Sequence, residues 1–433
     1  MAEIKPFKGV LYNPMAIGGD HARVCAPPYD VISPGMQEKL YSRDKFNVVR
    51  LILPLEKDPA IPGVSKYERA GRLFGEWMNG KVLLRDKDDA IYVYQQEYSA
   101  SGKKCRRLGF LALMKLDVPN GEKVLPHEHT HQKPKEDRLS LIREVRGNLS
   151  PIFTLFPDTD GAVTAVLKGY ISRNAPILDI EFEGVRNVLW RLSDPPLISS
   201  VRAKMKDKKV FIADGHHRYE VAGLYRNELL ARGVKVDDED HVMTYFADMD
   251  SSENLTVLAT HRAIKKMPAG ASGTIEKTLS HKFDVVKCSG LREILDKLSA
   301  GVNGNTFGYS DKGKYLAFSL RKNIDVNDLI REDKPVEWKK LDVSVLHFSI
   351  LPDIGVLQSE GNIIYSRDAS ESESLVLDGT CEGAFYMNPT GVDQLKKVAL
   401  TGERMPQKST FFYPKLLSGL VFNKFNERNK AGR

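Results

Sequence analysis

Short apolar runs separated by turn residues mark out most of the chain's regular structure. Residues 91–98 and 107–116 are two β-type runs around Ser101-Gly102, which predicts a hairpin. Residues 47–53, 152–156, 243–248 and 256–260 read as further strands, and residues 67–79 carry helical spacing. A charged loop is predicted over 126–137, followed by a helix with Leu139, Ile142 and Val145 on one face. Phe211-Ile212-Ala213 is an apolar strand running into Asp214-Gly215. Val221, Ala222, Tyr225 and Leu229 then mark an amphipathic helix that ends near Gly233. From about residue 268 the order becomes helix, strand, helix, hairpin, and the last ten residues, Lys424 among them, read as a frayed tail. Strands and helices are intermixed throughout, so the expected class is α+β with mixed sheets and a smaller C-terminal α/β domain.

The chain has 433 residues, 42% hydrophobic and 28% charged, which suits a globular protein of two or three domains. Its 64 basic and 57 acidic residues leave +7, a small excess without the concentrated basic face that nucleic acid requires. No apolar run reaches membrane-spanning length and the N-terminus has no apolar signal core, so a cytoplasmic protein without membrane contact is expected. Cys25, Cys105, Cys288 and Cys381 lie far apart, which argues against a zinc ribbon or a disulfide framework.

Candidate chemistry concentrates in four places. The first is Asp214-Gly215-His216-His217-Arg218, a glycine turn between strand and helix. A helix start offers backbone N–H groups and a positive dipole end to an anion. This one adds a carboxylate, two imidazoles and a guanidinium for proton transfer, phosphate or metal. The second is Pro126-His127-Glu128-His129-Thr130-His131-Gln132-Lys133-Pro134-Lys135-Glu136-Asp137-Arg138. It contains the zinc-protease pattern His127-Glu128-x-x-His131, but the flanking prolines and polar filling disfavour the required helix. Its cations suit a compact polyanion, with Glu128 or Asp137 available for Mg²⁺ or as a base. The third, residues 402–410, departs from a P-loop at Gln407 and Pro406 but retains Lys408, Ser409 and Thr410, with Lys415 beyond, as phosphate contacts. The fourth is the proline-stiffened Ala26-Pro27-Pro28-Tyr29-Asp30, which presents Tyr29 and Asp30.

Taken in order, these stretches resemble the family catalogued as domain of unknown function 1015. Its marks here are Ala-Pro-Pro-Tyr-Asp-Val-Ile, His-Glu-x-Thr with Lys-Pro-Lys-x-Asp-Arg, Asp-Gly-His-His-Arg-Tyr, and Met-Pro-x-Lys-Ser-Thr-x-Phe-Tyr-Pro-Lys. The central turn also resembles the ParB/sulfiredoxin-like superfamily, which includes partition proteins, sulfiredoxin and free serine kinases. No cysteine stands in the turn and no basic recognition helix follows it, which disfavours the first two branches. The resemblance implies a ParB/sulfiredoxin-like catalytic core with an N-terminal extension over residues 1–265. A C-terminal α/β domain over 266–433 would contribute to the site. It further implies a Mg²⁺-dependent kinase that converts free L-serine to O-phospho-L-serine, with pyrophosphate as preferred donor and ADP or ATP as alternatives. On this reading Glu128 is the first choice of base, with Asp214 and Asp30 next and His217 also in the catalytic set. Glu128 and Asp214 would hold the metal. His127, Thr130, Lys133, Lys135, Arg138, Gly215, His216, Arg218, Lys408, Ser409 and Thr410 would bind phosphate. Two other classes stand beside it: a metal-dependent hydrolase using the His-rich loop, and a nucleotide-binding module related to partition proteins.

Overall fold

Strands covered on both faces read as almost unbroken apolar runs, and the centre of this protein's large sheet is built from such runs. The computed structural model describes residues 3–56, 63–100, 102–117, 123–128, 132–251, 255–301, 304–359 and 361–425. The chain divides into two units. Met1–Pro126, Thr130–Thr256 and Pro414–Arg433 form the first, and His127–His129 with Val257–Tyr413 form the second.

The first unit holds a nine-stranded sheet. Its strands are β1 (Ile4–Lys5), β2 (Ile91–Ala100), β3 (Lys103–Lys115), β4 (Val124–Leu125), β5 (Ile152–Phe156), β6 (Leu178–Phe182), β7 (Val185–Leu192), β8 (Val210–Asp214) and β9 (His241–Asp248). They lie in the order β4-β8-β5-β9-β3-β2-β7-β6, with β1 beside β3. β8 is parallel to β4 and β9 is parallel to β5, whereas the remaining pairs are antiparallel, so the sheet is mixed. Every residue of β5 and of β9 is buried. Phe110 of β3 and Phe246 of β9 stack with ring centroids 5.0 Å apart at the centre of this core. The β2–β3 turn carries Gly102 at φ 73, the left-handed backbone that a tight hairpin requires.

Three helices of this unit bear on the site: α1 (Lys66–Asn79), α2 (Gln132–Val145) and α3 (His216–Ala231). Ser65 caps α1 by accepting from the Glu68 N–H. α3 buries Val221, Tyr225 and Leu229 against Ile142 of α2 and against Phe425. The second unit carries a six-stranded sheet that is antiparallel throughout. Its hairpin, Thr306–Asp311 with Lys314–Leu320, stacks Phe307 on Phe318 at 5.5 Å. The protein is therefore a mixed α/β structure with a large mixed sheet and a second, antiparallel one.

Four local expectations are corrected. Residues 47–53 do not form a strand, because Asn47 Oδ1 accepts from the Val49 N–H and starts a helical turn, Val49–Ile52. The loop expected over 126–137 gives way to helix at Gln132. Pro134 is tolerated there because first-turn N–H groups have no intrahelical acceptor. The strand expected over 256–260 shrinks to Thr256–Val257. Lys424 is not frayed: Asn423–Lys424 pairs with Gly147–Asn148, and Lys424 Nζ donates to the Val145 carbonyl at 2.6 Å. The rest of the expected tail, 426–433, lies outside the described residues. No helix among the described residues is long and apolar enough to cross a membrane.

Candidate active site

The turn between β8 and α3 is built as its sequence suggests. Gly215 has φ 91, a conformation that costs L-residues energy, and α3 starts there without a side-chain cap. A Cβ at Gly215 would stand 3.0 Å from the Arg218 guanidinium. Asp214 ends the buried strand and lies between two cations. Arg218 Nη2 donates to its Oδ2 at 2.8 Å, and Lys415 Nζ donates to its Oδ1. All three side chains keep 14–15% of their exposure, so the cluster is desolvated yet reachable. Burial pushes the Asp214 carboxyl up. The charges of Lys415 and Arg218 more than reverse this, and it is held ionised well below the usual carboxylate range. Arg218 also donates to the Pro151 carbonyl, which fixes the guanidinium to the β5 entrance.

A second group adjoins it in the same unit. Arg138 of α2 stacks on Tyr29, with 4.0 Å between the guanidinium carbon and the ring centroid. Its Nη1 donates to the Ile52 carbonyl at 2.7 Å and its Nε to Asp137 Oδ2 at 2.8 Å. Tyr67 donates to Asp137 Oδ1 at 2.8 Å, and Lys66 lies 3.3 Å from that oxygen. Burial raises the Tyr29 phenol. The charges of Arg138 and Arg218 oppose this, and those of Asp30 and Asp214 add to it. Tyr29, Arg138, Arg218, Asn148 and Ser150 line a cavity of about 60 Å³ with an apolar floor that includes Ile142 and Val221.

The first unit thus gathers Tyr29, Arg138, Asp214, Gly215, Arg218 and Lys415. Asp30 is exposed beside Tyr29, and Lys133 is exposed on α2. Lys135 pairs with Glu220 at 3.3 Å. His216 is buried, while His217 is half-buried on the first turn of α3. Thr130, like His129 and His131, lies outside the described residues.

The other candidates belong to the second unit. His127 is fully buried, and its Nε2 lies 2.9 Å from Thr410 Oγ1. Glu128 is extended, in a β-bridge with Met405, which leaves no zinc-protease helix at this residue. Its Oε1 is 4.0 Å from His127 Nε2. Ser409 is buried and hydrogen-bonds to the Pro406 carbonyl at 2.5 Å. Lys408 is exposed at φ 57, a strained backbone for a lysine. Its carbonyl accepts from Arg262 Nη2 at 3.0 Å. Arg262 is buried, and burial lowers it to about 10. His347 Nε2 lies 3.3 Å from Arg262 Nε, and burial holds this histidine neutral, at about 4.

Sequence reasoning weighed Lys415 only as a possible phosphate contact and missed Arg262 and His347. A lone basic residue in an apolar strand or helix carries no local signal. Among the described residues no group of three or more His, Cys, Asp or Glu stands ready to hold a metal ion. Mg²⁺ in phosphoryl transfer takes one or two carboxylates, with water and phosphate oxygens completing its shell, and single carboxylates such as Glu128 fit that demand.

The family model described as a protein of unknown function, DUF1015, matches residues 4–344. The chain belongs to this family. No protein of curated function matches it. Among solved structures the chain is similar to a conserved hypothetical protein from Pyrococcus furiosus. Identity is 15%, over 72% of this chain and 94% of that one, with a TM-score of 0.35. It is also similar to a free serine kinase in complex with AMP, at 14% identity over 70% and 86% of the two chains, with a TM-score of 0.35. C-terminally truncated SbnI from Staphylococcus aureus is 12% identical over 74% and 83%, with a TM-score of 0.33.

Proposed function

We propose that this DUF1015 protein is a phosphotransferase whose acceptor is the hydroxyl of free L-serine and whose product is O-phospho-L-serine. The observation that carries the reading is the grip of Lys415 and Arg218 on Asp214 at the side-chain-uncapped start of α3. Two cations and a helix N-terminus form an anion site. Phosphoryl transfer requires such preorganised positive charge more than it requires covalent chemistry from the protein. The acceptor and the preference for pyrophosphate over ADP or ATP follow from the motif resemblance.

In the reaction the serine Oγ attacks the terminal phosphorus of the donor. A new O–P bond forms as the bond to the bridging oxygen breaks, and phosphate leaves when pyrophosphate is the donor. The serine proton passes to a carboxylate. Asp214, already saturated by two cations, suits the holding of Lys415 and Arg218, and the motif resemblance implies Glu128 as the base. Arg218, Lys415 and the first turn of α3 hold donor phosphate, and Arg138, stacked on Tyr29, holds a second anionic group. Mg²⁺, when bound, neutralises charge on the donor oxygens. Titration calorimetry with Mg²⁺-pyrophosphate, ADP and ATP tests the site. Binding of one donor should weaken at least tenfold in Lys415→Met and in Arg218→Met, a loss of about 1.4 kcal/mol. Unchanged affinity in both variants would remove these cations from the donor site. Full turnover in Glu128→Gln would remove Glu128 as base.

A further inference from the structure

The large sheet contains a buried polar ladder that the reaction does not explain. Asn187 of β7, Gln96 of β2 and Arg107 of β3 stand directly opposite one another across three neighbouring strands. With Tyr94 they are each at most 1% exposed. Burying such groups is costly unless their hydrogen bonds are made. Tyr94 donates to Asn187 Oδ1 at 2.6 Å, and Gln96 Nε2 reaches the same oxygen at 3.1 Å. The ladder then turns outward onto the C-terminal segment. Gln96 Nε2 donates to the Lys415 carbonyl at 3.1 Å, and Arg107 donates to Gln96 Oε1 and to the Pro414 carbonyl. The peptide it grips is the one whose side chain meets Asp214.

We propose that Gln96 and Arg107 are positioning residues that act through Lys415, fixing the two peptide units that flank it so that its ammonium is delivered to Asp214. This deepens the phosphotransferase reading and rests on it for the role of Lys415. The ladder is stiff because strand register fixes its members and because Arg107 also stacks over Phe153 at 4.7 Å.

The test reads Lys415 directly and needs no substrate. Acetylation rates of individual lysines are followed by mass spectrometry on the full-length protein, with exposed Lys104 as internal reference. Gln96→Glu keeps an acceptor for Arg107 and removes the donor to the Lys415 carbonyl. Lys415 labelling should rise about fivefold relative to Lys104, the factor that one lost hydrogen bond corresponds to. Gln96→Leu should raise it at least as much. Val188→Ala, which opens the same sheet's core elsewhere, should leave the ratio unchanged. Where turnover is measured, Gln96→Glu should add no loss in a Lys415→Met background. An unchanged ratio in Gln96→Glu, or an equal rise in Val188→Ala, would overturn the proposal. If Gln96→Leu fails to fold, Gln96→Glu decides. Absence of serine phosphorylation would sink the functional reading and leave the labelling result standing.

Discussion

Replacing Asp214 by Asn removes a charge that pairs with both Lys415 and Arg218. Breaking a fully buried pair from one side costs about 3–5 kcal/mol, because the partner charges stay desolvated. All three side chains here keep 14–15% exposure, and water screens part of the penalty. An expected cost of about 2 kcal/mol follows. For a unit of this size that corresponds to a Tm lower by about 4–8 °C. The pH dependence follows from the lowered folded-state carboxyl. Its contribution is complete above the unfolded value of about 3.9 and is lost as pH falls from there toward the folded value. The gap between wild type and Asp214→Asn should therefore stay level from about pH 5 to 8 and close below about pH 4. A second arm uses the two cations left facing each other. Pyrophosphate at a hundredfold excess over its Kd should stabilise the variant by about 2.7 kcal/mol, and at the same concentration it should stabilise wild type by less. Urea titrations with and without pyrophosphate measure both arms. An Asp214→Asn protein as stable as wild type at pH 7, or one indifferent to pyrophosphate, would refute the reasoning.

Further expectations concern the two turns and the buried histidines. Gly215→Ala forces a left-handed alanine against the Arg218 guanidinium, so stability should fall by about 1–2 kcal/mol and donor binding should weaken with it, as calorimetry would show. Lys408→Gly relieves the strained backbone at φ 57 and should raise stability by about 0.5–1 kcal/mol, while turnover drops if the side chain contacts phosphate; thermal melts and steady-state rates separate the two. His261 and His347 are both held neutral by burial, at about 4. Their contribution is whole above the unfolded value of about 6.5 and is lost as pH falls toward 4, so the second unit should lose about 2 kcal/mol per histidine between pH 7 and 5. His347→Leu should flatten that slope in urea titrations.

The long apolar runs of β2, β3, β5 and β9, and the hairpin after residue 304, were readable because burial on both faces leaves an unbroken pattern. Asn47–Leu53 was not, because one side-chain oxygen, that of Asn47, sets a helical turn against an apolar run of strand character. Lys424 looked like tail chemistry, yet its partner strand lies 277 positions earlier at Gly147 (424 − 147), a distance no local pattern spans. The same holds at the site. The Asp214–Arg218 pair is local, four residues apart in one turn, and could be read directly. The tie to Lys415 spans 201 residues and needed the fold. Gln96 and Arg107 look like ordinary strand residues until the register sets them side by side.

The central claim is serine phosphorylation, and ³¹P NMR of the purified protein with L-serine, Mg²⁺ and, in parallel, pyrophosphate, ADP or ATP tests it most directly. A phosphoserine resonance that requires both serine and one donor, and that disappears in Lys415→Met, is the predicted result. Wild-type protein that forms no phosphoserine with any of the three donors would contradict the account.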